Sequence, residues 1–160
     1  EDFKSLYSVP DNEVLLNAEN GCRVYCAADQ LRLAFLNILK NSLRAVSQQK
    51  QKKILVSIRQ TNSLVSVEFE DSGPALSSCQ IEAIRLNSKN KHALKHTPEN
   101  MGIGLNIVEA IVCLNAGTIS YSNNRFGGLL VRIEFPITTE RQPNELGNTE
   151  QIRFCHQSPR

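Results

Sequence analysis

The sequence contains few aromatic residues and little net charge. Its 160 residues include no tryptophan and one methionine, and aromatic residues make up 6% of the chain. The formal net charge is +2, so no strong field draws the chain to nucleic acid or to a membrane surface. No apolar run approaches the roughly 20 residues that cross a bilayer, and Glu1 to Lys4 do not begin a signal peptide. We therefore expect neither nucleic-acid binding nor direct membrane contact by these residues.

The five cysteines do not form the pattern of a disulfide-rich protein. Their number is odd and their spacing is unpaired, which favours a reducing, cytoplasmic setting. Cys22 and Cys26 lie on one face of a predicted strand, where a metal site is one interpretation. Small buried apolar side chains are the more common role for such cysteines.

The apolar fraction of 41% is sufficient for the core of one domain. Hydrophobic periodicity predicts helices after an N-cap at Asp29, over 78–86 and over 104–115 ended by Gly117, and strands over 14–16, 23–26, 54–58, 65–69, 118–123 and 129–135. These elements predict an α/β fold, a two-layer sandwich with one mixed β-sheet and helices packed on one face. We predict a domain over 1–139 and a tail or linker over 140–160. The abrupt first residues indicate a piece of a longer protein.

The first predicted helix carries a polar stripe beside its apolar face. The apolar face comprises Leu31, Ala34, Phe35, Ile38, Leu39, Ser42 and Val46. Asn37, Asn41 and Arg44 recur at helical spacing on another side. An amide oxygen is a neutral, hard ligand suited to Mg²⁺, and an arginine one turn further can pair with phosphate oxygens. Taken alone, such a stripe is more typical of the solvated face of an amphipathic helix.

A second segment ends a predicted strand at Asp71, followed by Ser72, Gly73 and Pro74. A carboxylate in this position can accept a hydrogen bond from an adenine amino group. Gly73 would let a base approach the main chain closely. Taken alone, the segment is more typical of an ordinary turn.

A third segment, Gly102-Ile-Gly-Leu105, opens the last predicted helix. It offers free main-chain N–H groups and the positive end of a helix dipole to phosphate. It is not a dinucleotide-binding fingerprint, because no strand directly precedes it and Ile107 occupies the third glycine position. It is not a P-loop either, since no Gly-Lys-Ser/Thr follows. Glycines that allow close packing at a helix start are the alternative.

In their order and spacing, the three segments closely resemble the ATP-binding catalytic domain of sensor histidine kinases, in the superfamily of gyrase, Hsp90, histidine kinases and MutL. The resemblance covers about residues 14–137 and implies a Bergerat-type ATP-binding fold with ATP and Mg²⁺ as cofactors. It implies that Asn41 is the Mg²⁺ ligand, that Asn37 and Asn41 are catalytic, and that Asp71 contacts adenine. The implied ATP-binding residues are Asn37, Asn41, Arg44, Asp71, Gly73, Gly102, Ile103, Gly104 and Leu105.

Residues 87–100 are polar and basic, and we predict a mobile loop there. We expect Lys89, near the start of this loop, to contact phosphate. His92 and His96 lie one helical turn apart in this segment, so a metal site is the alternative interpretation. Neither histidine has the sequence context of a phosphoacceptor, and we expect the acceptor outside these residues.

The resemblance implies a protein histidine kinase that transfers the γ-phosphate of ATP to a histidine on a separate dimerisation domain in two-component signalling. Its implied partners are that phosphoacceptor domain of the same kinase and a downstream response-regulator receiver domain, in a parent protein that can be membrane-anchored. Position 37 separates branches of the superfamily, because ATP-hydrolysing members carry a glutamate base four residues before the Mg²⁺ asparagine. Asn37 cannot act as a base, which favours the kinase branch.

Three departures from the family pattern leave two alternatives open. Ala75 replaces the second glycine of the first glycine box, Leu86 replaces the phenylalanine usual before the mobile loop, and Leu129 replaces the threonine usual after the last glycine. They favour a degenerate module that binds nucleotide weakly and transmits conformation without kinase activity, with Ala75 in a backbone shape that glycine adopts more easily. The other alternative is a serine kinase of the anti-sigma type on the same fold.

Overall fold

The computed structural model describes residues 13–89, 102–137 and 150–153, and the observations below concern these ranges. The elements follow in the order β1 (Glu13–Ala18), β2 (Arg23–Cys26), α1 (Ala28–Val46), β3 (Lys53–Gln60), β4 (Leu64–Asp71), α2 (Ser78–Lys89), α3 (Gly102–Leu114), β5 (Thr118–Asn123), β6 (Leu129–Pro136) and β7 (Glu150–Arg153). Within these ranges no helix has both the length and the apolar character needed to cross a membrane.

Five strands form one mixed sheet in the order β1-β3-β4-β6-β5. β1 runs parallel to β3, and parallel neighbours need a long crossover, which β2 and α1 provide. The remaining pairs, β3 with β4, β4 with β6 and β5 with β6, are antiparallel. The predicted two-layer α/β sandwich with a mixed sheet is confirmed.

The core lies between one face of this sheet and the helices. Along β4, buried and half-buried residues alternate, so Val65, Val67 and Phe69 point toward the helices. The predicted apolar face of α1 is confirmed, with Phe35 half-buried and the other six residues buried. The opposite face of the sheet carries polar pairs such as Arg132 and Glu68, whose Nε and Oε1 atoms are 2.8 Å apart. Asp71 is the last residue of β4 and is buried on the side of the helices, where a ligand site could lie.

α1 begins at Ala28, so Asp29 lies in its first turn and is not the N-cap that we predicted. Ala27 is the N-cap residue and makes no side-chain cap hydrogen bond. The Ala27 N–H instead donates to Asn115 Oδ1 at 3.0 Å, and Asn115 Nδ2 donates to Gln30 Oε1 at 3.4 Å. Because Asn115 directly follows α3, the end of α3 is fastened to the start of α1, and the two helices lie side by side in opposite directions.

α3 ends in a Schellman motif. The Ala116 N–H donates to Cys113 O at 3.0 Å, and the Gly117 N–H donates to Val112 O at 2.9 Å. The left-handed residue is Ala116, with a φ of 56°. Gly117 is needed for space, since a Cβ there would lie 2.8 Å from the Phe135 ring.

A second sheet pairs β2 with β7 in antiparallel register, with Arg23 opposite Arg153 and Cys26 opposite Glu150. Residues 150–153 form β7 within the segment that we predicted to be a tail or linker. Main-chain hydrogen bonds define such a strand, and the weak hydrophobic periodicity of the segment gave no sign of it. The predicted domain boundary at residue 139 stays a prediction.

Cys22 and Cys26 belong to the core, with exposures of 1% and 0%. Burial raises the pKa of both thiols, that of Cys26 to about 11. Metal ligation and nucleophilic chemistry need the thiolate, so a raised pKa disfavours both. The interpretation of these cysteines as small buried side chains is therefore supported by their burial.

Candidate nucleotide-binding site

Asp71 is a buried carboxylate at the end of β4, with 3% of its surface exposed. Its Oδ1 accepts hydrogen bonds from the Gly73 N–H at 2.9 Å and from the Leu129 N–H at 3.2 Å. The Ser42 hydroxyl of α1 also donates to the carboxylate. A carboxylate has about four lone-pair sites, so the carboxylate retains capacity for a donor from a ligand.

Burial raises the pKa of the Asp71 carboxyl group, because removal from water penalises the charged form. Hydrogen bonds from Gly73, Leu129 and Ser42 act in the opposite direction. A ligand N–H group would add one more donor to this charge. The site is therefore suited to a base that presents an amino group.

Two glycines allow the main chain to pack closely around Asp71. A Cβ at Gly73 would lie 2.8 Å from Ala45 Cβ and 2.8 Å from Asp71 Oδ1. A Cβ at Gly128 would overlap both the main-chain oxygen and Oδ1 of Asp71, and would lie 2.8 Å from Gly73 N. The loop after β4 and the turn between β5 and β6 thus converge on one carboxylate, and neither glycine position has room for a side chain.

Asn124, which the sequence analysis missed, fastens the β5–β6 turn to Asp71. Its Nδ2 donates to Asp71 O at 2.8 Å and to Leu129 O at 2.9 Å. Its Oδ1 accepts from the Phe126 N–H at 2.8 Å and from the Gly128 N–H at 3.1 Å. These bonds use the whole hydrogen-bonding capacity of an amide side chain. The available sequence signal was Asn before a glycine-rich turn, since Asn commonly bonds to the main chain two residues on.

The preceding residue, Asn123, holds the loop after β4 from the same turn. The Leu76 N–H donates to Asn123 Oδ1 at 2.9 Å, and Asn123 Nδ2 donates to Leu76 O at 2.8 Å. On the other side of this loop, Ser72 Oγ donates to Gln51 O at 2.6 Å and accepts from the Lys53 N–H at 2.9 Å. The loop that follows Asp71 is therefore anchored on both sides.

The polar stripe of α1 faces the start of α3. A Cβ at Gly104 would lie 3.5 Å from Asn37 Oδ1 and 3.7 Å from Asn41 Nδ2. Asn37 Nδ2 donates to Leu33 O at 3.0 Å, which leaves its Oδ1 on the side of α3. The structure thus brings Asn37, Asn41 and the second glycine of the third segment together, as predicted.

Asn41 Nδ2 is buried and has no hydrogen-bond partner among the residues that the structure describes. An unsatisfied buried donor costs about 1–3 kcal/mol, and a bound group that supplies an acceptor would remove this cost. The amide offers Nδ2 to a phosphate oxygen and Oδ1 to Mg²⁺, and the start of α3 offers main-chain N–H groups. The donor set here fits a phosphate-bearing ligand with its metal ion.

α1 connects the two ends of the site. Ser42 and Ala45 contact the Asp71 region, whereas Asn37 and Asn41 face the start of α3. From residue 37 to residue 45 a helix rises about 12 Å. A base near Ala45 and phosphates near Asn37 would therefore lie along one helix.

The other predicted site residues are placed as follows. Arg44 is exposed in the last turn of α1, on the same polar side of the helix. Leu105 is buried in the core with 5% exposure, so only its main chain is available to a ligand. The side chains of Lys89 and Ile103, and the residues His92 and His96, lie outside the described part of the chain. We predicted a mobile loop over 87–100, but residues 87–89 form the end of α2, so the prediction is wrong there, and residues 90–100 lie outside the described part. Gly102 is the first residue of α3.

The three departures from the family pattern are not equivalent in the structure. Ala75 is exposed and its φ is not in the left-handed region, so the expected backbone cost at this residue is wrong. Leu86 is 48% exposed on α2. Leu129 has no hydroxyl, but its N–H reaches Asp71 and Ser42 supplies a hydroxyl to the same carboxylate. The hydrogen bonds to Asp71 are therefore formed despite these substitutions.

The family model for histidine kinase-, DNA gyrase B- and HSP90-like ATPases matches residues 26–139. The chain belongs to this family. The match covers α1, the Asp71 loop, the start of α3 and the β5–β6 turn, which are the elements that form the site. Membership in an ATPase family supports ATP as the nucleotide.

Named relatives confirm the resemblance to histidine kinases. The chain is 28% identical over 145 residues to the signal transduction histidine-protein kinase BaeS of Escherichia coli (strain K12), which covers 88% of this chain and 28% of BaeS. It is 26% identical over 113 residues to sporulation kinase B of Bacillus subtilis (strain 168), which covers 71% of this chain and 25% of that protein. The chain thus spans about a quarter of the length of these relatives.

Among solved structures, the ATP binding domain of PrrB from Mycobacterium tuberculosis is similar to the chain with a TM-score of 0.64 and 22% identity. The similarity covers 85% of this chain and 86% of that one. At this identity the comparison shows the shared fold, and the predicted Bergerat-type architecture is confirmed.

Proposed function

We propose that the chain is the catalytic, ATP-binding part of a protein histidine kinase, which transfers the γ-phosphate of ATP to a histidine on a separate dimerisation domain. The observation that carries this proposal is that two groups lie beside α1: the buried, hydrogen-bonded carboxylate of Asp71, and Asn41 Nδ2, which has no partner among the described residues. Such a pair suits one ligand with an amino-bearing base and a phosphate chain.

In this proposal, Asp71 accepts the adenine amino group and Gly73 allows the base to lie close to the main chain. Asn41 holds Mg²⁺ through Oδ1, and the ion supplies charge neutralisation between the phosphates. Main-chain N–H groups from Gly102 to Leu105 bind phosphate oxygens, with Arg44 and Lys89 as additional cations. The residues of this chain contribute position and charge, and no covalent chemistry.

Asn37 supports transfer over hydrolysis. Its Nδ2 already donates to Leu33 O, and a neutral amide has no capacity to take a proton from water. An external histidine is therefore the nucleophile in this proposal. The named relatives are described as histidine kinases or sporulation kinase, which supports this choice over a serine acceptor.

We propose the phosphoacceptor domain of the same kinase and a response-regulator receiver domain as partners, and a cytoplasmic location. The absence of paired cysteine spacing supports a reducing compartment. The description of BaeS as a signal transduction kinase supports partners of this class.

The test uses radiolabelled ATP with the chain alone and with the dimeric helical domain of the parent kinase added. We expect label only in the second mixture, on the added domain, and we expect it to be lost in acid, as phosphohistidine is. Acid-stable label on a serine would favour the anti-sigma type of kinase. Absence of nucleotide binding would favour the degenerate module, and rapid phosphate release by the chain alone would contradict the kinase branch.

A further inference from the structure

We propose that Asn124 is a positioning residue that makes the site selective for a base with an exocyclic amino group. The proposal rests on the function proposed above, because it concerns the same Asp71 site. Asn124 does not reach the ligand in this proposal. It acts by holding Asp71 and its donor Leu129 in one fixed arrangement.

The first step is the way in which the β4–β6 ladder ends. Its last paired residues are Glu70 and Leu130, so Asp71 and Leu129 would form the next pair. Instead, the Leu129 N–H donates to the Asp71 side chain, and Asn124 Nδ2 donates to the Asp71 carbonyl oxygen. At this position an asparagine side chain therefore takes the place of strand pairing.

The second step is the connection that Asn124 makes between the two partners. Its Nδ2 bonds to the carbonyl oxygens of both Asp71 and Leu129, at 2.8 and 2.9 Å. A single amide group thus sets the distance between the main chain of the acceptor and the main chain of its N–H donor. The Asp71 carboxylate would lose this alignment if the amide were absent.

The third step is the position of Gly128, whose N–H donates to Asn124 Oδ1 at 3.1 Å. Gly128 packs so closely on Asp71 that a Cβ would overlap the carboxylate oxygen. A turn that drifts by a few tenths of an ångström would therefore shift the carboxylate or open a gap beside it. Asn124 fixes the position of this turn, because its Oδ1 accepts hydrogen bonds from both Gly128 and the Phe126 N–H, the latter at 2.8 Å.

The consequence is specific to the base. A hydrogen bond from an amino group to Asp71 depends on the carboxylate position, whereas the phosphate contacts proposed at the start of α3 involve none of the four groups to which the Asn124 side chain is hydrogen-bonded. Loss of Asn124 should therefore weaken the binding of adenine nucleotides and leave the binding of a purine nucleotide without the amino group nearly unchanged.

The experiment measures the affinities of ADP and of purine riboside 5′-diphosphate, which lacks the 6-amino group, by titration calorimetry. For the parent protein we expect ADP to bind about 10- to 150-fold tighter, the usual effect of a hydrogen bond to a charged group. For Asn124→Ala we expect this ratio to fall toward one, through weaker binding of ADP alone. Asn124→Asp retains the acceptor for Phe126 and Gly128 but loses both donors, so it should behave like Asn124→Ala.

Thr61→Ala is the matched control. Thr61 Oγ1 accepts the Leu64 N–H at 3.1 Å in the β3–β4 turn, so this change removes a similar side-chain contact from a turn outside the site. We expect Thr61→Ala to lower the melting temperature and to keep the parent ratio of affinities.

The inference is overturned if folded Asn124→Ala or Asn124→Asp keeps the parent ratio, or if both nucleotides weaken by the same factor. If Asn124→Ala does not fold, the ratio of affinities is measured in Asn124→Asp instead. Asn124→Ser is a second variant with a shorter side chain. A parent protein that binds neither nucleotide, or both equally, overturns the proposed role of Asp71 itself. That outcome is therefore distinguishable from a failure of the role of Asn124 alone.

Discussion

The two ends of the site are built in opposite ways. Around Asp71, hydrogen-bond donors come from Gly73, Leu129 and Ser42, and the main chain is packed too closely for side chains at two glycines. Around Asn41, the buried Nδ2 atom has no hydrogen-bond partner among the described residues. The base end is complete without a ligand, whereas the phosphate end lacks an acceptor that a ligand would supply.

This difference separates two contributions to binding. A preorganised base end lowers the ordering cost of binding and selects the ligand by hydrogen-bond geometry. An unsatisfied phosphate end gains free energy when the ligand arrives, because a buried donor becomes paired. We therefore expect substitutions that disturb the close packing around Asp71 to lower nucleotide affinity and stability together. We expect loss of the unpaired Asn41 donor to lower affinity and to raise stability.

The largest expected effect is at Gly128. Gly128→Ala places a Cβ against the main-chain and side-chain oxygens of Asp71, so we expect destabilisation of about 3 kcal/mol and loss of ADP binding. Urea unfolding and calorimetric titration measure the two effects. Gly127→Ala is the control, because this residue has a φ of 87° and open space around its Cβ position. It should cost about 1–2 kcal/mol of backbone strain and retain ADP binding; loss of binding there would contradict a role for close packing at Gly128.

The next effect separates affinity from stability at Asp71. Asp71→Asn keeps an oxygen for the Gly73 and Leu129 N–H groups but replaces the charged acceptor. We expect ADP affinity to fall by about 1.5–3 kcal/mol, or roughly 10- to 150-fold. Calorimetry measures this change, and equal affinities in the two proteins would remove Asp71 from the base site.

The same substitution tests the raised pKa of Asp71 through stability. Because the folded-state pKa lies above the ordinary value of 3.8, the folded protein binds more protons than the unfolded chain in the interval between the two values. The contribution of Asp71 to stability therefore decreases as the pH rises through this interval, and the loss persists above the folded-state pKa. We expect the free energy of unfolding of Asp71→Asn, relative to the parent, to increase with pH over this range. Urea unfolding at a series of pH values measures the difference, and a constant difference would contradict the raised pKa.

Asn41→Ala tests the proposed phosphate end. Removal of the unpartnered Nδ2 should raise the stability of the ligand-free protein by about 1 kcal/mol, reduced by any packing loss. The same change should abolish the part of ATP binding that depends on Mg²⁺, because Oδ1 is the proposed ligand. Thermal unfolding without ligand and ATP titrations with and without Mg²⁺ measure both effects. If Mg²⁺ strengthens ATP binding equally in parent and variant, Asn41 is not the metal ligand.

The two ends also differ in how far the sequence predicts them. Asn37, Asn41 and Gly104 lie together as expected, because helical spacing determines which side chains share a face. Asp71 and Gly73 were predictable as a local strand end. The contacts of Ser42 and Asn124 with Asp71 were not predictable, because both residues come from distant parts of the chain. The local signal at Asn124, an asparagine before a glycine-rich turn, does not indicate which distant residue it contacts.

The fold shows the same limit at its element ends. Alternating residues in β4 predicted which face is buried, since side chains in a strand alternate with period two. The left-handed conformation of Ala116 after α3 was not predicted, because glycine usually takes this conformation at a helix end. β7 was missed, because pairing with β2 depends on main-chain groups in a segment with weak periodicity. Periodicity therefore predicts faces better than it predicts ends and edge pairings.

The smallest expected effect tests whether the two ends respond to overall stability. Ala116 has a φ of 56° at the end of α3 opposite to Gly104, and this conformation is strained for a residue with a Cβ. Ala116→Gly should relieve this strain, offset in part by the greater freedom of glycine in the unfolded chain, for a net gain of about 0.5–1 kcal/mol. Urea unfolding should show this gain, while the affinities for ADP and for Mg²⁺-ATP stay at the parent values. A change in the affinity for ADP or for Mg²⁺-ATP would mean that this affinity depends on the stability of the whole domain and not on the local contacts of that end. The distinction between the base end and the phosphate end would then fail for that end.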